Sequence, residues 1–260
     1  MKIHRMKHLP VVTIVTPSFN QSRFIEETII SVLNQSYKNI QYIIIDGGST
    51  DNTIEIVNKY KDQIDIIISE SDEGQTDAIN KGFKLAKGEL VGWLNSDDII
   101  YSDCVAQIVN LYNTNNNASI YYHSYNDIIN ENGDLIRTYQ YLIPDKMHLL
   151  RSNYNVIQQG SFYQRKLVER IGYLDINNFY CMDLDLWLSL LNHGAIAYTS
   201  DRSHAAFRLY SGTKTDTGKE KFLKNIHKVL KKHGAKNYYL TIWYRIYYYY
   251  LKTVIKRHFN

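Results

Sequence analysis

Residues 89–98 read Glu89-Leu90-Val91-Gly92-Trp93-Leu94-Asn95-Ser96-Asp97-Asp98. An apolar run, Glu89–Leu94, ends at two neighbouring carboxylates. Its length and composition are those of a buried strand. Adjacent carboxylates repel each other, so something positive must offset them, and a divalent cation does this well. Mg²⁺ and Mn²⁺ take oxygen ligands and keep positions open for substrate phosphates. A diphosphate held this way is a better leaving group, because the cation neutralises the charge developing on it. The same residues also fit a plainer role, with Asp97 or Asp98 capping a helix that follows.

Upstream the strand pattern repeats. Val11–Thr16, Ile40–Ile45 and Ile64–Ser69 read as strands. Ser22–Gln35, Asp51–Tyr60 and Gln75–Ala86 read as the helices between them, with Ser22 placed to cap the first. Strands spaced by such helices imply right-handed βαβ units. The expectation is an α/β fold with a mostly parallel, Rossmann-like sheet flanked by helices. Ligands on such sheets bind beyond the carboxyl ends of the strands, which directs attention to loops 16–21, 46–51, 70–75 and 95–100. The second half is less regular. Asp103–Tyr112 and Asp183–Leu191 read as helices, Gly160–Tyr163, Ala195–Tyr198 and Ala205–Leu209 as short strands, and Asn132-Gly133 as a hairpin turn.

Three further segments carry chemistry. Asp46-Gly47-Gly48-Ser49-Thr50-Asp51 follows an apolar strand, and its glycines allow a ligand close to the backbone. Asp46 can accept hydrogen bonds from a base or ribose. The alternative is an ordinary turn capped by Ser49 or Asp51. In the acidic loop that includes Asp72 and leads into a helix, Asp77 and Asn80 share a face. That face either looks into a ligand site or is solvated. Asp183, opening a helix at Met182-Asp183-Leu184-Asp185-Leu186-Trp187, is placed either as a general base for a hydroxyl or as a cap, and Asp185 reads as structural.

Taken in order, these segments resemble the inverting glycosyltransferases of family 2, which have the GT-A fold and build bacterial capsules and O-antigens. The resemblance spans roughly residues 10–215. It includes Thr16-Pro17-Ser18-Phe19-Asn20, Ile45 to Asp51, Asp72-Glu73-Gly74 with Asp77 to Gly82, Gly88-Glu89 leading to Trp93 to Asp98, Gln159-Gly160-Ser161-Phe162, and Met182 to Leu188. The resemblance implies that Pro17 and Phe19 line a nucleobase pocket and that Asp46 binds base or ribose. Asp72, Asn80 and Asn95 fall among the donor-binding positions. Asp97 would contact ribose or metal, Asp98 would hold Mn²⁺ or Mg²⁺, and Asp183 would deprotonate the acceptor in a single inverting displacement. The implied donor is a nucleotide-sugar, a UDP-sugar first, and the acceptor a glycan or lipid-linked glycan.

The chain departs from the family pattern at three places. Asn95 stands where many relatives have Asp, and Met182 where many have Glu. Tyr210 stands in a late loop that often carries a His. A phenol is a poor ligand at neutral pH, so Arg208 or Lys214 is expected to contact phosphate instead. His204, close by, reads as structural.

Composition frames these readings. With 260 residues, 44% of them hydrophobic, and only three prolines and thirteen glycines, the chain can bury a core. Two cysteines make no metal or disulfide pattern, which suggests a reducing compartment. No stretch approaches the ~20 apolar residues of a spanning helix, and a cytoplasmic protein is expected. Residues 219–260 hold eleven Lys/Arg against one Glu, a net +10; with +4 for the whole chain, the remainder carries −6. The expected division is a catalytic domain over 1–218 and a basic, Tyr-rich helical tail over 219–260. Helices are expected at 219–233 and 237–258.

The second of these helices fits the inner membrane surface, where Tyr, Trp and basic residues gather. Packing on the domain and a homodimer contact are its other readings. An acidic body argues against nucleic acid. A nucleotidyltransferase is the rival enzyme class, but the loop after the first strand offers Arg23 alone to grip a triphosphate. A catalytically weak nucleotide-sugar-binding partner is the non-enzyme alternative.

Overall fold

The computed structural model describes residues 9–211, 214–237, 239 and 241–249, with side chains of 214–220 excepted. Its first half follows the expected alternation. Strand β1 (Val12–Ser18) leads to helix α1 (Ile25–Leu33), β2 (Ile40–Asp46), α2 (Thr53–Asn58), β3 (Ile66–Ser69), α3 (Gln75–Leu85) and β4 (Leu90–Trp93). β2, β1 and β4 pair in parallel, with β3 parallel at the edge.

Both faces of these strands are covered, as parallel sheets require. Ile43 and Ile45 of β2 join one core with Val15, Phe83 and Trp93. The alternate residues Tyr42 and Ile44 join a second with Ile14, Ile25 and Ile29. Burial of each such aliphatic side chain stabilises by about 1.5–3 kcal/mol. Helix α3 packs on β1 at Gly82, where a Cβ would collide with the side chain of Val15.

The second half makes the sheet mixed. It contains β5 (Ile99–Ile100), α4 (Cys104–Thr114), β6 (Ala118–Ile129), β7 (Leu135–Gln140) and α5 (Lys146–Arg151). It continues with β8 (Phe162–Gln164), α6 (Arg165–Arg170), α7 (Met182–Leu190), β9 (Ala195–Arg208) and α8 (Lys214–Lys232). The strand order is β3-β2-β1-β4-β8-β6-β9-β5, with β7 on β6. β8 is antiparallel to both β4 and β6, and β6 and β9 run parallel.

Several expectations change. Ser22 does not cap α1: its N–H is held by Asp51 at 3.1 Å, and the helix starts at Ile25. The two short strands expected at 195–198 and 205–209 are one strand, β9, whose exposed middle hid it from a hydrophobicity reading. The extent of β6, the strand before the expected hairpin turn, does not show in the sequence, because its Tyr, His, Ser and Asn residues look polar although nearly all are buried. The Asn132-Gly133 turn does join β6 and β7, with Gly133 at φ 87°. Helix α7 is buried almost all round rather than on one face.

The boundary expected at 218/219 falls inside α8, which is continuous across it. Leu223, Ile226, Val229 and Leu230 of α8, with Ile242 and Ile246 of a helical stretch at 241–249, belong to the same core as α7. Asp185 fixes the end of α8, bonding Lys232 Nζ at 2.8 Å and His233 Nε2 at 2.5 Å. These pairs outweigh the opposing effect of burial and hold the Asp185 carboxyl below its ordinary range. The tail therefore packs on the domain through Ile242 and Ile246. Its expected continuation over 250–260 lies outside the described residues. Among the described residues, no helix is long and apolar enough to cross a membrane.

Candidate active site

At the carboxyl end of β1, Pro17 is buried and Phe19 is 58% exposed. Phe19 thus offers an open ring face beside the loop after β2. Asn20, at φ 51°, ties the two loops together. Its N–H donates to Ser49 Oγ at 2.7 Å, and its Oδ1 accepts from Thr50 N–H at 2.8 Å.

Asp46 is fully buried. It accepts from Gly48 N–H at 3.1 Å, Ser49 N–H at 2.9 Å, Ser49 Oγ at 2.5 Å and Ser69 Oγ at 2.8 Å. The structure thus gives Asp46 the work of bracing the loop rather than an open face toward a base or ribose. Gly47 lets the loop approach Asp72 closely: a Cβ there would lie 2.7 Å from Asp72 Oδ2 and displace that carboxylate. Asp72 in turn accepts from Gly74 N–H at 2.8 Å.

Asn80 departs from its expected role. Its Nδ2 donates to Leu174 O at 2.9 Å, and its Oδ1 accepts from Leu174 N–H at 3.0 Å. The side-chain amide is matched by a backbone amide, so Asn80 fastens α3 to the segment before α7 instead of meeting a donor.

The capping alternative for Asp97 and Asp98 is excluded, because the short strand β5, not a helix, follows them. The two carboxylates are placed unequally. Asp98 is fully buried. Its Oδ1 accepts from Arg208 N–H at 2.9 Å, and its Oδ2 from Asn95 Nδ2 at 3.0 Å and Gln159 Nε2 at 2.9 Å. Burial, then the charge of Asp97, push its carboxyl up to about 8 against the pull of these donors. Asp97 is half-buried and its Oδ2 accepts from Tyr210 Oη at 3.0 Å. Burial raises its pKa as well, opposed by Tyr210 and Arg208.

A pair of carboxylates both pushed toward neutrality is the electrostatic setting that a cation relieves. A hard cation needs few protein oxygens when substrate phosphates complete its shell. The site fits such an ion through Asp97 first. Asp98, expected as the principal ligand, has both oxygens engaged and no exposed surface. Among the described residues, no group of three or more His, Cys, Asp or Glu converges as a complete cage.

Arg208 also differs from expectation. Its guanidinium is fully buried, donating to Glu27 Oε2 at 2.6 Å, Asp97 O at 2.8 Å, and the carbonyls of Asn130 and Glu131 at 3.3 Å. It is a brace, not a phosphate ligand. The side chain of Lys214, the other cation expected to meet phosphate, lies outside the described residues. Burial and Asp97 raise Tyr210 to about 12, so it acts as a donor to Asp97. His204 is structural as expected, bonded to Asp103 and Asp201.

Asp183 is in the first turn of α7, beyond the cap residue Cys181. It is half-buried and lines a cavity of about 420 Å³ with Tyr154, Gln158, Gln159, Phe222 and Ile226. Gln158 and Gln159 join this cavity to the carboxylate loop. Gln158 Nε2 donates to Trp93 O at 2.6 Å, while Gln159 reaches Asp98. Gln159 lies within one of the motif segments, but nothing in the sequence marks this role for it, nor for Gln158, Glu27 or Gln75, which donates to Asn95 Oδ1 at 2.6 Å.

The sheet and its cleft are those of the GT-A fold. A mannosyltransferase from Pyrobaculum calidifontis, solved with GDP-Man and Mn²⁺, superposes with TM-score 0.69 at 15% identity, over 95% of this chain and 74% of that one. S. aureus TarS 1–349 in complex with UDP-GlcNAc gives TM-score 0.69 at 16% identity, over 85% and 66%. Residues 13–172 match glycosyl transferase family 2, and the chain belongs to that family.

An uncharacterized glycosyltransferase of Rickettsia typhi is 27% identical over 73% of this chain and 61% of its own length. A Haemophilus influenzae relative is matched over 42% of its length, so the chain spans less than two thirds of either. The Escherichia coli UDP-Glc:alpha-D-GlcNAc-diphosphoundecaprenol beta-1,3-glucosyltransferase WfaP is 28% identical over 97% of each chain.

Proposed function

We propose that this protein transfers a sugar from a nucleotide-sugar, a UDP-sugar first, to a lipid-diphosphate-linked glycan in surface polysaccharide synthesis, inverting the anomeric centre. One observation carries the reading. Asp183 faces a cavity whose wall, Gln158 and Gln159, is hydrogen-bonded to the strand end bearing Asp97 and Asp98. A base and a diphosphate-binding edge on one cleft are what a single displacement needs.

Asp183 accepts the proton of the attacking hydroxyl. Phe19 and the laced loops after β1 and β2 seat the nucleotide. A divalent cation, held by Asp97 with Asp98 behind it, would neutralise charge on the departing diphosphate. The printed activities of WfaP and the UDP-GlcNAc complex of TarS support a UDP-sugar, and WfaP supports the lipid diphosphate. We place the reaction at the cytoplasmic face of the membrane. The exposed Tyr244, Tyr247, Tyr248 and Tyr249 support contact with that surface.

The test is turnover. UDP- and GDP-sugars are incubated with Mn²⁺ and a GlcNAc-diphospho-lipid, and product is followed by mass spectrometry. Transfer from one donor is expected. No transfer and no nucleotide release from any of them sinks the proposal.

A further inference from the structure

A second cavity, of about 510 Å³, lies between α8 and the helical stretch at 241–249. Leu223, Trp243, Ile246 and Tyr247 form its apolar surface, and Lys224, His227 and Lys231 its basic one; among the described residues none that lines it is acidic. Lys231 Nζ is 4.8 Å over the Trp243 ring, and the His227 ring centroid is 4.8 Å from that of Trp243. Apolar and cationic surfaces are therefore interleaved rather than segregated.

The groove adjoins the active-site cavity through α8. Phe222 and Ile226 line the cavity that holds Asp183, and Leu223 and Lys224, Ile226's neighbour His227, and Lys231 line the groove. Successive residues of a helix are turned by about 100°, so the two spaces occupy adjacent faces of one helix.

We infer that this groove is the seat of the acceptor's lipid: it binds the diphosphate and the first isoprenoid units of a polyprenyl-diphosphate-linked glycan, on the face of α8 next to the one that lines the Asp183 cavity. The inference rests on the proposed lipid-diphosphate acceptor and adds the place where that acceptor is held. Charge complementarity selects this occupant. The diphosphate matches Lys224, His227 and Lys231, and the chain matches Trp243, Ile246 and Leu223. Neither a free sugar nor an apolar peptide uses both surfaces.

The probe is farnesyl diphosphate, titrated calorimetrically into the full chain, with farnesol and inorganic diphosphate as controls. Saturable binding is expected, accompanied by a change in Trp243 emission; Trp93 and Trp187 are buried elsewhere and serve as a constant background. Lys224→Glu and Trp243→Leu should each weaken binding at least tenfold and leave UDP affinity unchanged. Lys224→Glu, a change at an exposed position, keeps the test decisive if Trp243→Leu disturbs packing.

Equal binding of farnesol overturns the role of the diphosphate, and equal binding of inorganic diphosphate overturns that of the chain. Binding unaffected by both variants overturns the location. Binding to phosphatidylglycerol vesicles that farnesyl diphosphate does not compete with overturns the inference in favour of a bare membrane contact. Farnesyl diphosphate binding without sugar transfer defeats the proposed reaction but not the groove. Transfer with an unchanged acceptor KM in Lys224→Glu defeats the groove alone.

Discussion

Arg208 donates its backbone N–H to Oδ1 of Asp98 at 2.9 Å, although 110 residues separate them. The same residue sends its guanidinium to the carbonyl of Asp97 and to Glu27. The last residue of β9 therefore holds both the backbone and the carboxylate of the strand end on which the site depends. Replacing the side chain leaves three carbonyls and Glu27 without their donor. Arg208→Ala is expected to lower stability by about 2–3 kcal/mol, at the lower end for a broken buried pair because Glu27 stays in contact with water. Urea denaturation measures this, and Arg208→Lys should recover only part of it.

Asp97 and Asp98 should separate in their effects. Asp97→Asn should fold with a near-native melting temperature and lose the rise in melting temperature that Mn²⁺ with UDP gives the wild type. Asp98→Ala should lower the melting temperature even without metal, because three donors lose their acceptor. Thermal shift with and without Mn²⁺ and UDP reads both. Unaltered Mn²⁺ dependence in Asp97→Asn sinks the assignment of Asp97.

Asp183→Asn should reduce kcat by about 10²–10⁴-fold, the usual range for removing a general base. The cavity geometry is preserved, so nucleotide affinity should remain. A loss of UDP binding in this variant would show that Asp183 serves the fold or the donor instead.

Asn80→Ala separates a structural from a ligand role. It leaves the N–H and C=O of Leu174 without partners in a buried place, at a cost of about 1–3 kcal/mol. Donor affinity, measured at a temperature where the variant is folded, should be unchanged.

His123 predicts a pH dependence. It is fully buried, stacks on His204 at 4.2 Å, and faces Cys104, Thr199, Asp103 and Asp201. Burial, then the neighbouring His204, lower its pKa from 6.5 to about 3. Between these values the unfolded chain binds the proton and the folded one does not. The stabilising effect is complete above pH 6.5 and is lost as pH falls toward 3. Urea midpoints between pH 7 and pH 4.5 should fall in the wild type and fall less in His123→Gln. Equal slopes would mean that His123 is not buried neutral.

The strands and helices of the first half are local facts. Ile40–Asp46 has no other way to bury Tyr42, Ile43, Ile44 and Ile45 than a strand covered on both faces. The loops at its carboxyl end follow from that, and so does the place of the donor cleft. The acidic pair after Trp93-Leu94 and the Asp at the start of α7 were equally plain, because a carboxylate at a strand or helix end is visible in one dimension.

Partnership is not. Asn80 and Arg208 looked available for ligands because their polar heads carry no mark of what will meet them. The meeting is made by Leu174, 94 residues on in the first case, and by Glu27, 181 residues back in the second. The extent of β6 is hidden for the same reason: its Tyr and His side chains count as polar until their polar atoms find partners inside.

The parallel core, the cleft and the carboxylates at its edge are legible in one dimension, since hydrophobic period and turn chemistry act between near neighbours. Folding adds that Asp97 is partly open while Asp98 is enclosed, that Asp46, Asn80 and Arg208 brace the surrounding loops, and that the basic tail packs back along the core of α7. Those outcomes depend on desolvation and on hydrogen bonds between residues far apart in the chain, and only the folded state brings them together.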